Sequence, residues 1–299
     1  MTSVLRVAPE VAEALAAGRP VVALETTLVA HGFPAGKGGR VGRESEARVR
    51  EAGAVPATVG VLGGRVVVGL TPGELESYDG ATHARKVGPR DLAACAVQGA
   101  LGATTVGGTL AAARAAGIRV LATGGLGGVH RGWAERLDVS ADLGELARTP
   151  IAVVASGAKS LLDVEATAEL LESLGVPVLG LGTDTLPLFY AAAGGPPVSA
   201  RVEHAGEAAA VVHAHWALGR PGGVLVAQPP PVDLDVLDLV EEEVAAAARD
   251  GVRGPAVTPR ILARLHERSG GRSLEANRAL VAANARLGGE LAVALADLP

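Results

Sequence analysis

The sequence predicts an α/β protein with a mixed, mostly parallel sheet and a helical C-terminal segment, and three features of its 299 residues lead there. Short apolar runs recur along the chain, most of them separated by amphipathic stretches of helical period. Gly63 and Gly64 separate two such runs, the arrangement of a tight antiparallel return. Beyond Pro229, Pro230 and Pro231 the apolar runs stop and only helical patterns follow.

In chain order, strands are expected at Val21 to Leu24, Thr58 to Leu62, Arg119 to Thr123, Ile151 to Ala155, Val176 to Leu181 and Gly223 to Ala227. Runs of this length with no polar alternation suit strands covered on both faces. Helical patterns occupy Arg43 to Glu51, Asp91 to Gln98, Thr109 to Ala115, Val164 to Leu174 and Glu207 to Leu218, which makes the rhythm βαβ. The double glycine turns the chain back into Arg65 to Leu70, so an antiparallel edge is expected. The closing helices are Leu234 to Ala248, Pro259 to Arg268 and Leu274 to Leu298. The uncharged stretch from Leu92 to Ala113 is long enough for a bilayer, but Gln98, three threonines and four glycines divide it into helix, turn, strand and helix start.

Hydrophobic residues make up 48% of the chain and aromatics only 2%, so the core is built from Ala, Val and Leu, with backbones close together at many of the 41 glycines. A single domain over residues 1–299 is expected. The net charge of -5 arises from 27 basic and 32 acidic residues that are intermixed, which argues against a nucleic-acid surface and for a small-molecule partner. Cys95 is the only cysteine, which excludes an intrachain disulfide and a cysteine-rich zinc site and fits a reducing compartment. The segment after Met1 lacks the charged start and apolar core of a signal peptide, so a cytoplasmic protein with no membrane partner is expected.

Four places carry residues suited to chemistry, because strand ends and glycine-rich loops expose backbone amides. Glu25 closes the apolar run Val21 to Leu24 and suits either a helix cap, a core-edge ion pair or a pocket acid. The run Gly124-Gly125-Leu126-Gly127-Gly128 follows a strand but matches neither a dinucleotide fingerprint nor a P-loop. His130 and Arg131 just after it are placed to face an anion. Asp138, Ser140 and Asp142 cluster before a helical pattern, as N-cap residues or as oxygen ligands for a hard cation such as Mg²⁺ or Mn²⁺. His213 and His215, two apart on a helix, point in different directions and do not form a zinc pair. Lys159 follows a buried strand; such a lysine either snorkels to the surface or, in an apolar pocket, attacks an aldehyde carbon as the free amine. Lys86 fits a phosphate contact or a solvated basic patch.

The order and spacing of these segments resemble the pseudouridine-5'-phosphate glycosidase family over almost the whole chain. The most specific pieces are VVALETT ending at Thr27 with His31-Gly32, GAVPATVGVLGG from Gly53, KVGPRDL from Lys86 and GATTVGGT from Gly102, then ATGGLGGVHRG from Ala122, DVSADL from Asp138, SGAKSLLD from Ser156 and SLEAN from Ser273. The family's first motif more often reads ESTIISHG, whereas Thr26, Leu28, Val29 and Ala30 stand here, changes conservative in volume that leave the carboxylate in place.

The resemblance implies a three-layer α/β/α fold, a homotrimer, one Mn²⁺-type ion per subunit and a lysine that forms a covalent adduct with the sugar. It implies reversible conversion of pseudouridine 5'-phosphate to uracil and ribose 5-phosphate. By motif position, Glu25 is the proton donor, Lys159 the nucleophile and Asp138 the metal carboxylate. Lys86, Val106, Ser140, Ala141 and Asp142 contact substrate, and Asn277 is a further pocket residue. An ordinary glycosidase protonates the atom that leaves, but a base attached through carbon needs another electron path, and imine chemistry at a lysine supplies it. Two rival readings are a Schiff-base lyase acting on another sugar phosphate, with no need for uracil, and a sugar-phosphate sensor without turnover.

Overall fold

The computed structural model describes residues 3–252 and 257–299. The chain opens with β1 (Leu5–Val7), α1 (Pro9–Ala16), β2 (Val21–Glu25), α2 (Thr27–His31), α3 (Gly38–Glu51), β3 (Val55–Leu62) and β4 (Arg65–Val68). Next come α4 (Pro72–Glu76), β5 (Arg85–Val87), a 3₁₀ turn at Pro89–Asp91, α5 (Leu92–Val97), β6 (Gly102–Thr104), α6 (Val106–Ala116) and β7 (Val120–Ala122). The middle continues through β8 (Val129–His130), α7 (Trp133–Arg136), α8 (Ala141–Leu146), β9 (Ala152–Ala155), β10 (Leu162–Asp163), α9 (Val164–Ser173), β11 (Val178–Leu181) and β12 (Ala200–Val202). It ends with α10 (Ala205–Ala217), β13 (Val224–Ala227), α11 (Leu237–Arg249), α12 (Val257–Arg268) and α13 (Arg272–Ala296).

Local chemistry explains many of the boundaries. Thr71 and Glu74 form a reciprocal capping box that starts α4, and the Thr105, Ser140 and Asp163 side chains accept from backbone N–H groups at the starts of α6, α8 and α9. Gly117, at φ 88°, ends α6 in the left-handed conformation that costs glycine little.

Nine strands run β1-β4-β3-β2-β7-β9-β13-β11-β12, and β6, with β5 beside it, also joins β3 to complete an eleven-stranded sheet. The β3/β4 and β3/β6 pairs are antiparallel and the other pairs are parallel. Helices cover both faces. Val11 of α1, Leu110 of α6, Leu143 of α8 and Leu171 of α9 pack with Val21, Ala23 and Val153 on one side. Val49 of α3, Val212 of α10 and Leu291 of α13 pack with Val22, Leu24 and Val154 on the other. Successive residues of an all-apolar strand thus serve opposite layers, as a side-chain period of two requires. The expected three-layer α/β/α arrangement and mostly parallel sheet are present.

All six strands expected in the parallel part are observed, within three residues of the expected bounds, and the hairpin forms with Val61 opposite Val66. One expectation changes: β4 is not the sheet edge, because β1 pairs parallel to its outer side. The segment Leu5–Val7 is only three half-buried residues with Arg6 at its centre, too short to show a period. A third cluster joins Val240 of α11, Ile261 and Leu265 of α12 and Leu280 of α13 to Phe189 and Leu161, so the helical C-terminal segment packs beside the sheet's C-terminal edge. The helix α13 is the one described helix long and apolar enough to cross a membrane; here Leu280, Ala285 and Leu291 are buried in the core.

Candidate active site

The chain moves from β2 to β3 on one side, while β7 pairs with β2 on the other, so a crevice opens outside the C-terminal ends of β2 and β7. Glu25 is the last residue of β2 and Thr123 the first after β7, and the Thr123 hydroxyl donates to Glu25 Oε1. Lys159 lies in the loop after β9, Lys86 on β5 and Asn277 in the second turn of α13. These five side chains line one cavity of about 60 Å³ with Thr27, Leu28, His31, Phe189, Thr258 and Leu262.

The cavity joins opposite charges in protein surroundings. Glu25 keeps only a partial opening, and burial raises its carboxyl above the usual range; Lys159 and the Thr123 hydrogen bond pull the other way, and Asp142 adds to the rise. Lys86 is exposed, yet partial desolvation by its surroundings lowers its ammonium, with Lys159 acting in the same direction and Asp142, Glu25 and Asp138 opposing. Burial also lowers His130, against the attraction of Asp138, whose Oδ2 is 4.0 Å from His130 Nδ1.

Asn277 is 3% exposed and its Oδ1 has no hydrogen-bond partner, which leaves an acceptor in the cavity wall. Val106 is buried at the start of α6. Asp142 is also buried, and its two oxygens accept from the Gly107 N–H at 2.8 Å and the Gly127 N–H at 3.1 Å. Its carboxylate therefore ties the start of α6 to the glycine-rich loop. The Ser140 hydroxyl caps α8 by accepting from the Asp142 N–H, and Ala141 is exposed beside it.

The glycine-rich loop has a packing explanation. A Cβ on Gly125 would lie 2.5 Å from Phe189 Cδ2, and one on Gly127 would lie 2.5 Å from both Asp142 Oδ2 and Ser140 Oγ. These glycines admit neighbouring side chains rather than supply unusual backbone angles. Phe189 itself adopts φ 66°, a conformation that costs a bulky residue about 1–2 kcal/mol and is sustained here by packing across Gly125. Of the two residues expected to face an anion, only His130 joins the charged group. Arg131 turns away, with Nη1 3.6 Å from Glu241 and weak contacts to the Leu162 and Ser160 carbonyls, because α11 presents a carboxylate to it.

Among the described residues no three His, Cys, Asp or Glu side chains converge on a point. Asp138 supplies one carboxylate close to His130, a donor set that suits an oxygen-preferring ion held largely by water and a substrate anion. It does not suit a closed zinc cage.

Thr123 and His31 lie in motifs quoted above to which no role was given, and no sequence pattern pointed to Phe189 or Asn284. The Asn284 amide on α13 donates to the Thr123 carbonyl at 2.8 Å and lies 3.1 Å from Ser156 Oγ, binding the loop after β7 to the loop that carries Lys159. A buried Asn seven residues beyond Asn277, on the same long helix, is the one signal that could have marked it.

The family described as indigoidine synthase A like protein matches residues 10–294. A protein from Symbiobacterium thermophilum named pseudouridine-5'-phosphate glycosidase is 52% identical over 99% of both chains. One of the same name from Streptomyces griseus subsp. griseus is 51% identical over 96% of this chain and 91% of its own. Among solved structures, the prealnumycin C-glycosynthase AlnA in complex with ribulose 5-phosphate superposes with a TM-score of 0.89 at 40% identity, over 98% of this chain and 97% of its own. An indigoidine synthase A-like protein from Thermotoga maritima gives a TM-score of 0.88 at 36% identity, over 98% of this chain and 96% of its own.

Proposed function

The chain belongs to the indigoidine synthase A-like family, and from that premise we propose that it is a pseudouridine-5'-phosphate glycosidase, an enzyme that reversibly cleaves the carbon-carbon glycosidic bond to give uracil and ribose 5-phosphate. The observation that carries the mechanism is the shared cavity of Glu25 and Lys159. A carboxyl whose hold on its proton is strengthened by burial, in one cavity with a lysine, is the pairing that imine chemistry at a sugar carbon requires.

In this reading protonated Glu25 delivers its proton to the ribose ring oxygen, and the ring opens. The Lys159 amine bonds to the anomeric carbon, the proton it gives up passes to the uracil carbon, and the carbon-carbon bond breaks to leave a lysine imine. Water then adds to the imine carbon and releases ribose 5-phosphate, restoring the amine. Lys86 faces the phosphate, and the Asn277 Oδ1 offers an acceptor to a uracil N–H. Substrate contact by Val106, Ser140, Ala141 and Asp142, none of which lines the cavity, belongs to the same proposal, and Asp142 holds the Gly107 and Gly127 backbone in place. A bound Mn²⁺-type ion at Asp138 would neutralise phosphate charge. Assembly as a homotrimer and a cytoplasmic setting complete the proposal; the latter fits the single cysteine, Cys95, present as a buried thiol.

That AlnA is named a C-glycosynthase and holds ribulose 5-phosphate supports a pentose phosphate as ligand and makes the base the point to test. Incubation with pseudouridine 5'-phosphate should release uracil, and borohydride with ribose 5-phosphate should add one sugar phosphate to the peptide bearing Lys159. Trapping at another lysine would refute the assignment. Turnover without uracil, on a different sugar phosphate, would favour a general Schiff-base lyase.

A further inference from the structure

Glu25 and Thr123 also line a second cavity of about 20 Å³, which Lys86 does not reach, together with Ser45, Thr58 and apolar side chains. A space of this size takes one water, and Glu25, Ser45, Thr58 and Thr123 are the polar residues available to hold it on an otherwise apolar wall. Thr58 is 2% exposed and its hydroxyl donates to Glu46 Oε1 at 2.5 Å. Glu46, on α3, is half-buried and reaches the protein's outer side, where Arg50, Arg43 and Glu10 surround it. The reaction described above leaves this carboxylate without a task.

We propose that Glu46 and Thr58 form a proton relay that recharges Glu25 through one water in the small cavity. This rests on Glu25 as the proton donor. After Glu25 gives its proton to the ring oxygen, the water donates a proton to the Glu25 carboxylate and takes the hydroxyl proton of Thr58. Thr58 takes the carboxyl proton of Glu46, and Glu46 is reprotonated from solvent. Each member gives one proton and receives one, and the threonine hydroxyl rotates to reset the direction. Burial raises the Glu46 carboxyl from its ordinary value, against the Thr58 hydrogen bond and Arg50, the direction that favours a proton donor. The relay gives Glu25 a proton path when substrate closes the front of the pocket.

Thr58→Val keeps the shape of the side chain and removes the hydroxyl, whereas Thr58→Ser keeps the hydroxyl and removes a methyl. Measured with pseudouridine 5'-phosphate between about pH 5 and 9, Thr58→Val should lower kcat about tenfold with KM little changed. Thr58→Ser should retain kcat, and Glu46→Gln should flatten the pH profile of kcat. If both Thr58 variants are equally slow, the loss is one of packing and the relay is wrong. It is equally wrong if Thr58→Val and Glu46→Gln keep the parent's kcat and pH profile. Glu25→Gln separates the two levels: inactive Glu25→Gln with normal Thr58→Val overturns the relay alone, and active Glu25→Gln overturns the proton-donor reading beneath it.

Discussion

The amide nitrogen of Asn284 donates to the carbonyl oxygen of Thr123 at 2.8 Å across 161 positions of sequence. The same side chain meets Ser156, three residues before Lys159, so one buried amide sets the spacing between the loop whose Thr123 holds Glu25 and the loop that carries Lys159. Asn284→Ala should remove these bonds and leave buried polar atoms unpaired, at a cost of about 1–3 kcal/mol. Denaturant unfolding should show the loss, and kcat should fall with it as the loops separate. Unchanged kcat in the folded variant would mean the loops hold their spacing without it.

Glu25 predicts a pH dependence with a definite sign. Its carboxyl is raised in the folded state, so the folded protein binds a proton that the unfolded chain has already released. Stability from this group is complete below the ordinary carboxylate range and declines as pH rises through the raised value. Glu25→Gln removes that decline, and thermal melts should show the variant gaining on the parent toward neutral pH while kcat drops by about 10²–10⁴. A parent and variant with parallel stability profiles would contradict the buried-acid account.

Lys86→Ala should act on binding. Loss of a charge-assisted contact to phosphate costs about 1.5–3 kcal/mol, which appears as an increase in KM of about 10- to 100-fold. Comparison of the phosphorylated substrate with its nucleoside provides the check, because only the former should be affected. Equal effects on both would place Lys86 away from the phosphate.

Asp138→Ala should shift the divalent-ion titration of activity to higher concentration, since it removes the one carboxylate that the donor set contains. Direct Mn²⁺ binding, followed by the paramagnetic signal of the free ion, should weaken in parallel. An identical titration in parent and variant would exclude Asp138 as a ligand.

The α/β class, the six parallel-sheet strands and the β3/β4 return were legible because each is a local pattern: an apolar run, a helical period, a glycine pair. The placement of Glu25 and Lys159 at strand ends was legible for the same reason, as was the helical character of the last 60-odd residues. The motifs then resembled a known family closely enough to imply roles for both residues. What the short strands did was hidden, since β1, β5 and β12 have three residues each and no period can be read from three.

Which residues meet was decided by tertiary structure. Nothing local distinguishes Asn284 from any polar residue on α13, or tells that Thr58 bonds Glu46 while Asp142 bonds Gly107 and Gly127. The glycine-rich loop looked like an anion cradle because its backbone is bare, yet the space above Gly125 and Gly127 belongs to Phe189, Asp142 and Ser140. Arg131 was adjacent to His130 in sequence and still turned toward Glu241 on a helix more than 100 residues later. Local pattern reports the period of a segment and the face it buries, whereas the partner on that face depends on strand order and on how the layers pack, and those are set by the whole chain at once.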